Sequence, residues 1–185
     1  MKQLTNISVL AIIFIIATLQ SCTKIGSMLQ YDIPLQSGSV TITIPPTSQT
    51  SGSVTGSGNN TINIDSVIKA NTAGLLGVNN ITSVKLTSAS MVLQNANSTN
   101  NFQNFKSCTT SFTSNSDATP YQINVTNNPD IYASTLALPV DSTQELKSYL
   151  NGTQFSYSAG GQLRTATSES LTCTITFTFN IHVQG

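Results

Sequence analysis

Tryptophan is absent, histidine occurs once, and charged residues make up only 8% of the 185-residue chain. Seven Lys and Arg balance seven Asp and Glu, so the formal net charge is zero. Such a chain has no basic stripe with which to neutralise phosphates. This argues against a nucleic-acid partner and against electrostatic attachment to an anionic membrane. One imidazole and few carboxylates leave little material for acid/base catalysis or a metal site. No H-x-x-x-H or C-x-x-C pair is present to hold zinc or non-haem iron, and there is no G-x-S-x-G elbow of a serine hydrolase. The expectation is a non-enzymatic protein without cofactor or metal. What the sequence does have is hydroxyl: 25 Ser and 27 Thr.

The amino terminus carries the strongest local signal. Met1-Lys2 gives a short positive start, and residues 7–19 (ISVLAIIFIIATL) form an apolar run that ends in Gln20-Ser21-Cys22. Crossing a bilayer takes about 20 apolar residues, so a run of this length has the anatomy of a secretory signal peptide.

Leu19-Gln20-Ser21-Cys22 resembles the lipobox of bacterial lipoproteins, with Leu three places before the cysteine and a small residue directly before it. The resemblance implies cleavage before Cys22, a diacylglycerol on its thiol and an acyl group on its amine. Several chains, at about 0.8 kcal/mol per buried methylene, make attachment effectively permanent where one chain would hold only marginally. Cys22 is thus the expected lipidation site, and the membrane is a partner through its acyl chains. Thr23 follows the cysteine instead of Asp, and no acidic cluster follows. By resemblance to Gram-negative and Bacteroidetes systems, this implies the outer membrane, with its periplasmic face preferred over the cell surface. The chain is similar to Bacteroidetes-type single-domain β lipoproteins through this segment alone.

The expected organisation is a cleaved peptide at 1–21, a lipid-anchored tether at 22–36 and a single β domain at 37–185. Val40, Ile42 and Ile44 alternate with Thr41 and Thr43 until Pro45-Pro46 ends the strand. Residues 47–60 (TSQTSGSVTGSGNN) have the composition of a flexible loop. Ile62 and Ile64 suggest a short strand, followed by a brief helix capped by Asp65 and running toward Gly74. Val84 and Leu86, then Met91 and Leu93, fit one strand whose parity changes near residues 88–90, as a β-bulge would make it. Further strands are expected at 102–112, 121–125 and 131–138. Ser142 and Glu145 are spaced as a capping box for a helix at 142–150. Gly160-Gly161 suits a hairpin turn. In the last segment Leu171, Cys173, Ile175, Phe177, Phe179, Ile181 and Val183 share one face, and Thr172, Thr174, Thr176, Thr178, Asn180 and His182 the other. With no fixed period of about 20 to 50 residues to suggest a solenoid, the pattern predicts a mainly β fold. The form expected is an antiparallel β-sandwich with one or two short helices.

Few residues present themselves for chemistry. Cys108 and Cys173 are either a disulfide, which an oxidising compartment would permit, or two buried small apolar side chains on different strands. His182 falls on the wet Thr face, Glu145 in a helix cap and Glu169 in a loop, so a glycosidase pair is not indicated. Asp65-Ser66-Val67 and Asp141-Ser142-Thr143 resemble the O-glycosylation site of Bacteroidetes, which would place a glycan on Ser66 and Ser142, although Asp and Ser at helix starts are expected for capping alone. The threonine ladder at 172–178 is explained by β-propensity and cross-strand hydroxyl pairs. The function these residues favour is a structural or accessory binding module with a glycan or protein partner. A first alternative is a glycan- or peptide-binding lipoprotein of an uptake or adhesion system, with loop 47–60 making the contacts. A second is a hydrolase with a dispersed site, in which His182 would have to meet a carboxylate in a cleft.

Overall fold

The computed structural model describes residues 29–37, 40–48 and 52–185. The expected signal peptide and the expected lipidation site, Cys22, lie outside them. Among the described residues nine antiparallel strands form two sheets that pack face to face as a β-sandwich. Its spine is β9 (Leu171–Gln184), in which buried and half-exposed residues alternate along its length. Strict alternation lets one side chain in two enter the core while the intervening threonines stay wet.

In the first sheet β9 pairs on one side with β4 (Ile81–Leu93), which in turn pairs with the short β7 (Thr135–Ala137). On its other side β9 pairs with β1 (Gln30–Gln36) and β2 (Val40–Ile44) in succession. Residues 30–36, expected as the end of the tether, are therefore a strand. Ile33 and Leu35 enter the core, and Pro34 is tolerated because β1 lies at a sheet edge and needs no second row of donors. In β4 the parity change falls between Leu86 and Ser88, with Thr87 the extra residue, one position before the expected site.

The second sheet runs β3 (Ser53–Thr61), β8 (Gln154–Leu163), β5 (Phe105–Ser114) and β6 (Tyr121–Val125). Two expectations fail here. Residues 53–60 form an edge strand, and Gly160-Gly161 lie inside β8. The reason is close packing. A Cβ on Gly160 would fall on the Val54 carbonyl oxygen, and one on Gly161 on that of Ser107. Glycine is required by the neighbouring backbones, and no turn is made there. Likewise a Cβ on Gly56 would collide with Ile42 of β2, so the loop-like composition of β3 allows the two sheets to approach at that edge.

Helix α1 (Ile64–Asn71) is capped by Asn63, whose side chain accepts the Ser66 amide at 2.9 Å, and Ile64 is its first residue, not part of a strand. Asp65 instead accepts the Val78 amide at 3.0 Å and pairs with Lys69 at 2.6 Å. The expected helix at 142–150 shrinks to α2 (Lys147–Leu150), with Leu146 and Leu150 fully buried. The strand expected at 102–112 begins at Phe105 after a single 3-10 turn, and only 135–137 of the expected 131–138 pairs. The core centres on Phe112, whose ring lies 5.1 Å from those of Phe177 and Tyr149 and 5.3 Å from Tyr121.

Candidate functional site: the loop end of the sandwich

Most of the polar side chains buried in this structure gather at one end, where β4, β6 and β8 finish and β5 and β9 begin. Asn100, Asn101, Asn104, Asn128 and Thr167 are all buried there. An amide out of water is costly unless paired, and among the described residues no buried side-chain polar atom lacks a partner.

The pairing ties three loops together. Asn97 Oδ1 accepts the amides of Thr99 and Asn100, forming a tight turn after β4. Asn100 reaches the β8–β9 connection, where Ser168 donates its amide to Oδ1 at 2.9 Å. Asn104 Nδ2 donates to Thr99 O, Thr165 Oγ1 and Ala166 O, all within 3.1 Å. Asn128, in the loop after β6, donates to the carbonyls of Phe102 and Phe105 at 2.6 and 3.0 Å. Arg164, the sequence's single arginine, donates to Gln103 O at 2.7 Å and Asn128 O at 2.6 Å, and its guanidinium stands 3.5 Å from Asp130. The loops at 94–104, 126–134 and 164–170 are thereby fixed as one rigid surface.

Two depressions open on it and meet at Thr99. The smaller, about 210 Å³, is lined by Ser98, Thr99, Gln103, Asp130 and Thr165 over the amides of Asn101 and Asn104. The larger and shallower, about 700 Å³, lies beside Pro46, Thr47, Thr167 and Ser168. Thr47 and Ser48, which line the larger one, belong to the 47–60 segment expected to make contacts, whereas the residues of the smaller one did not stand out individually in the sequence. The available signal was density, with five asparagines between Gln94 and Phe105. That density reads equally well as loop punctuation.

The single residues proposed from sequence for chemistry or modification lie elsewhere. Cys22 is outside the described residues. Cys108 on β5 and Cys173 on β9 are buried free thiols. They belong to opposite sheets, which ordinarily stand about 10 Å apart, whereas a disulfide needs Cα atoms within about 7 Å. Burial pushes both thiols up to about 12. Ser66 and Ser142 are exposed, at the start of α1 and in the turn before α2. In that turn Asp141 accepts the amide of Thr143 at 2.8 Å. Glu169 is exposed in the β8–β9 connection.

His182 meets a carboxylate, but not in a cleft. Its Nδ1 lies 2.9 Å from Asp32 Oδ1 on the outer face of the first sheet. The hydrogen bond from His182, reinforced by Asn180, holds the Asp32 carboxyl below the usual range. Ser83 is the β4 partner of His182, which completes a row of Asp, His and Ser across three strands. The Ser83 hydroxyl donates instead to Glu145 at 2.7 Å. None of the three lines either of the two depressions described above.

No protein-family model matches the chain, and no curated protein matches it. Among solved structures it is similar to a chain of desmodium yellow mottle tymovirus, at 12% identity over 85% of this chain and 87% of that one, with a TM-score of 0.34. It is similar to the decameric BFDV capsid protein at 11% identity over 85% and 100% of the two chains, with a TM-score of 0.38. A third likeness is CpGH89CBM32-6 produced by Clostridium perfringens, at 13% identity over 77% and 76%, with a TM-score of 0.27. Likenesses this distant do not bear on function.

Proposed function

We propose that the protein is a non-enzymatic β-sandwich module, lipid-anchored through Cys22 on the periplasmic face of a bacterial outer membrane, that serves as a structural or accessory binding domain. The observation that supports a binding role is the polarity of the fold along β9. At one end of that strand Gln184 pairs with Gln30, and the Gly185 amide donates to Leu29 O at 3.0 Å. The chain thus enters the domain beside its last residues. At the other end, where Gln94 donates its amide to Thr172 O, lie the fixed loops and their depressions. Fourteen strand residues separate the two ends by about 45 Å.

Six residues separate Cys22 from Leu29 and reach about 25 Å at most, so an anchor at Cys22 would keep the entry end near the bilayer and turn the loop end away from it. That is the arrangement of a presented surface. The test is metabolic labelling with a clickable fatty acid, followed by membrane fractionation. Wild-type chain carries label and sediments with outer membrane, while Cys22→Ala loses both. Undiminished labelling of Cys22→Ala overturns the anchor.

A further inference from the structure

Resting on the reading of the domain as a binding module, we propose that its loop end binds a neutral saccharide, with one sugar ring in the 210 Å³ depression between Gln103, Asp130 and Thr165. The depression is smaller than the sites that enclose drug-sized ligands, and it continues past Thr99 into the shallower one, so a chain of small polar units fits better than one compact ligand. Its chemistry is that of a polyol partner. Ser98 Oγ, Gln103 Oε1 and the second Asp130 oxygen make no hydrogen bond to any described residue, whereas Gln103 Nε2 is committed to Asp130 Oδ1 at 3.1 Å. A hydroxyl, an amide carbonyl and a carboxylate oxygen pair naturally with hydroxyl groups, and the carboxylate gives the strongest of these bonds.

The walls also discriminate. No described residue lining the depression carries a positive charge, and Arg164, which pairs with Asp130, is spent on two backbone carbonyls and on that carboxylate. An anionic ligand would meet the Asp130 carboxylate without compensation. Directly after Asp130 come Ile131 and Tyr132, 65% and 55% exposed, among the few large apolar side chains that the surface leaves in water. Their loop is held in place, with Phe102 donating its amide to Ala133 O at 2.9 Å. An exposed tyrosine two residues along the chain from the Asp130 wall offers an apolar ring for the C–H face of a sugar and a hydroxyl for its rim. The asparagine network fixes all three loops before any ligand arrives, which lowers the ordering cost of binding.

The test is calorimetric titration of the detergent-solubilised full chain with short neutral cello-, xylo-, malto-, manno- and chito-oligosaccharides at millimolar concentration, with a library of short peptides run in parallel. At least one saccharide series is expected to bind, with Tyr132→Ala and Asp130→Asn each weakening it about ten-fold or more. Leu75→Ala, an exposed apolar residue outside the three loops, leaves it unchanged. Because all three side chains are exposed, an unchanged melting temperature verifies that each variant folds. Saccharide binding that is indifferent to both Tyr132→Ala and Asp130→Asn overturns the inference. Peptide binding with no saccharide response overturns it as well but leaves the binding-module reading standing, and absence of both overturns the two together. The anchor stands or falls separately, on the fatty-acid label.

Discussion

Glu145 Oε1 accepts the backbone amide of Val84 at 2.7 Å, so a side chain from the connection before α2 closes the hydrogen bonding of a fully buried position in β4. The second oxygen accepts from Ser83 Oγ, and Lys85 Nζ lies 3.4 Å away. Ser142 and Glu145 therefore do not cap a helix reciprocally. Glu145 instead takes the amides of Leu146 and Lys147 itself, and staples the connection to the sheet.

Removing that carboxylate leaves the Val84 amide unpaired, so Glu145→Ala is expected to cost about 1–3 kcal/mol in urea unfolding at neutral pH. Burial alone would raise the Glu145 carboxyl, but hydrogen bonds from Ser83, Val84, Lys147 and Lys85 outweigh it and hold the group below its ordinary value of 4.5. The unfolded chain therefore takes up the proton first on acidification. The contribution of Glu145 is complete above about pH 5, and it is lost as pH falls through the depressed folded value. The stability gap between wild type and Glu145→Ala should narrow below pH 4.5. A gap that stayed constant down to pH 2 would rule out the carboxylate as its source.

Phe112 and Phe177 join the two sheets edge to face, with centroids 5.1 Å apart at 62°. Phe112→Ala should cost about 3–5 kcal/mol, since a ring in contact with five other aromatic rings leaves a cavity that rigid strands cannot close. A double-mutant cycle with Phe177→Leu and Phe112→Leu should return a coupling of about 0.5–1.5 kcal/mol. Additivity within error would mean that the rings contribute by area alone.

The same physics decides what was legible in the sequence. β2, β6 and β9 were readable because a strand buried on one face writes its orientation into every second residue. β1 was hidden because Asp32 and Pro34, residues disfavoured in strands, occupy its outward positions between Tyr31, Ile33 and Leu35, so a short true alternation looked like a tether. β3 was hidden because contact between Gly56 and Ile42 requires residues that also make linkers. The candidate site was not legible as a site. Asn101, Asn104 and Asn128 act through partners brought from three loops, and one-dimensional spacing cannot show which carbonyls an amide will meet.

The glycines of β8 carry a prediction of their own. Gly160→Ala and Gly161→Ala each drive a methyl onto a neighbouring strand's carbonyl oxygen, that of Val54 in β3 and of Ser107 in β5, and relief would require the paired strands to separate. Each is expected to cost about 3 kcal/mol, at the upper end of overpacking. Gly74, at φ +79° with open space around it, separates the two roles of glycine. There alanine meets no atom and suffers only the left-handed backbone, for about 1 kcal/mol. Thermal melts of the three variants should rank accordingly. A Gly161→Ala protein as stable as Gly74→Ala would mean that β5 and β8 are not as closely apposed as described.

Cys108 and Cys173 give a thiol count that reports on two questions at once. Burial pushes both thiols up to about 12 and keeps them protonated at pH 8, so neither should react with an aromatic disulfide reagent in the native protein at that pH. Unfolding in guanidinium without reductant should release two thiols from an acylated chain and three from one in which Cys22 is unmodified. A chain with no reactive thiol after unfolding would contain the inter-sheet bridge. That bridge would have to draw β5 toward β9 across the aromatic core, because the two strands belong to opposite sheets.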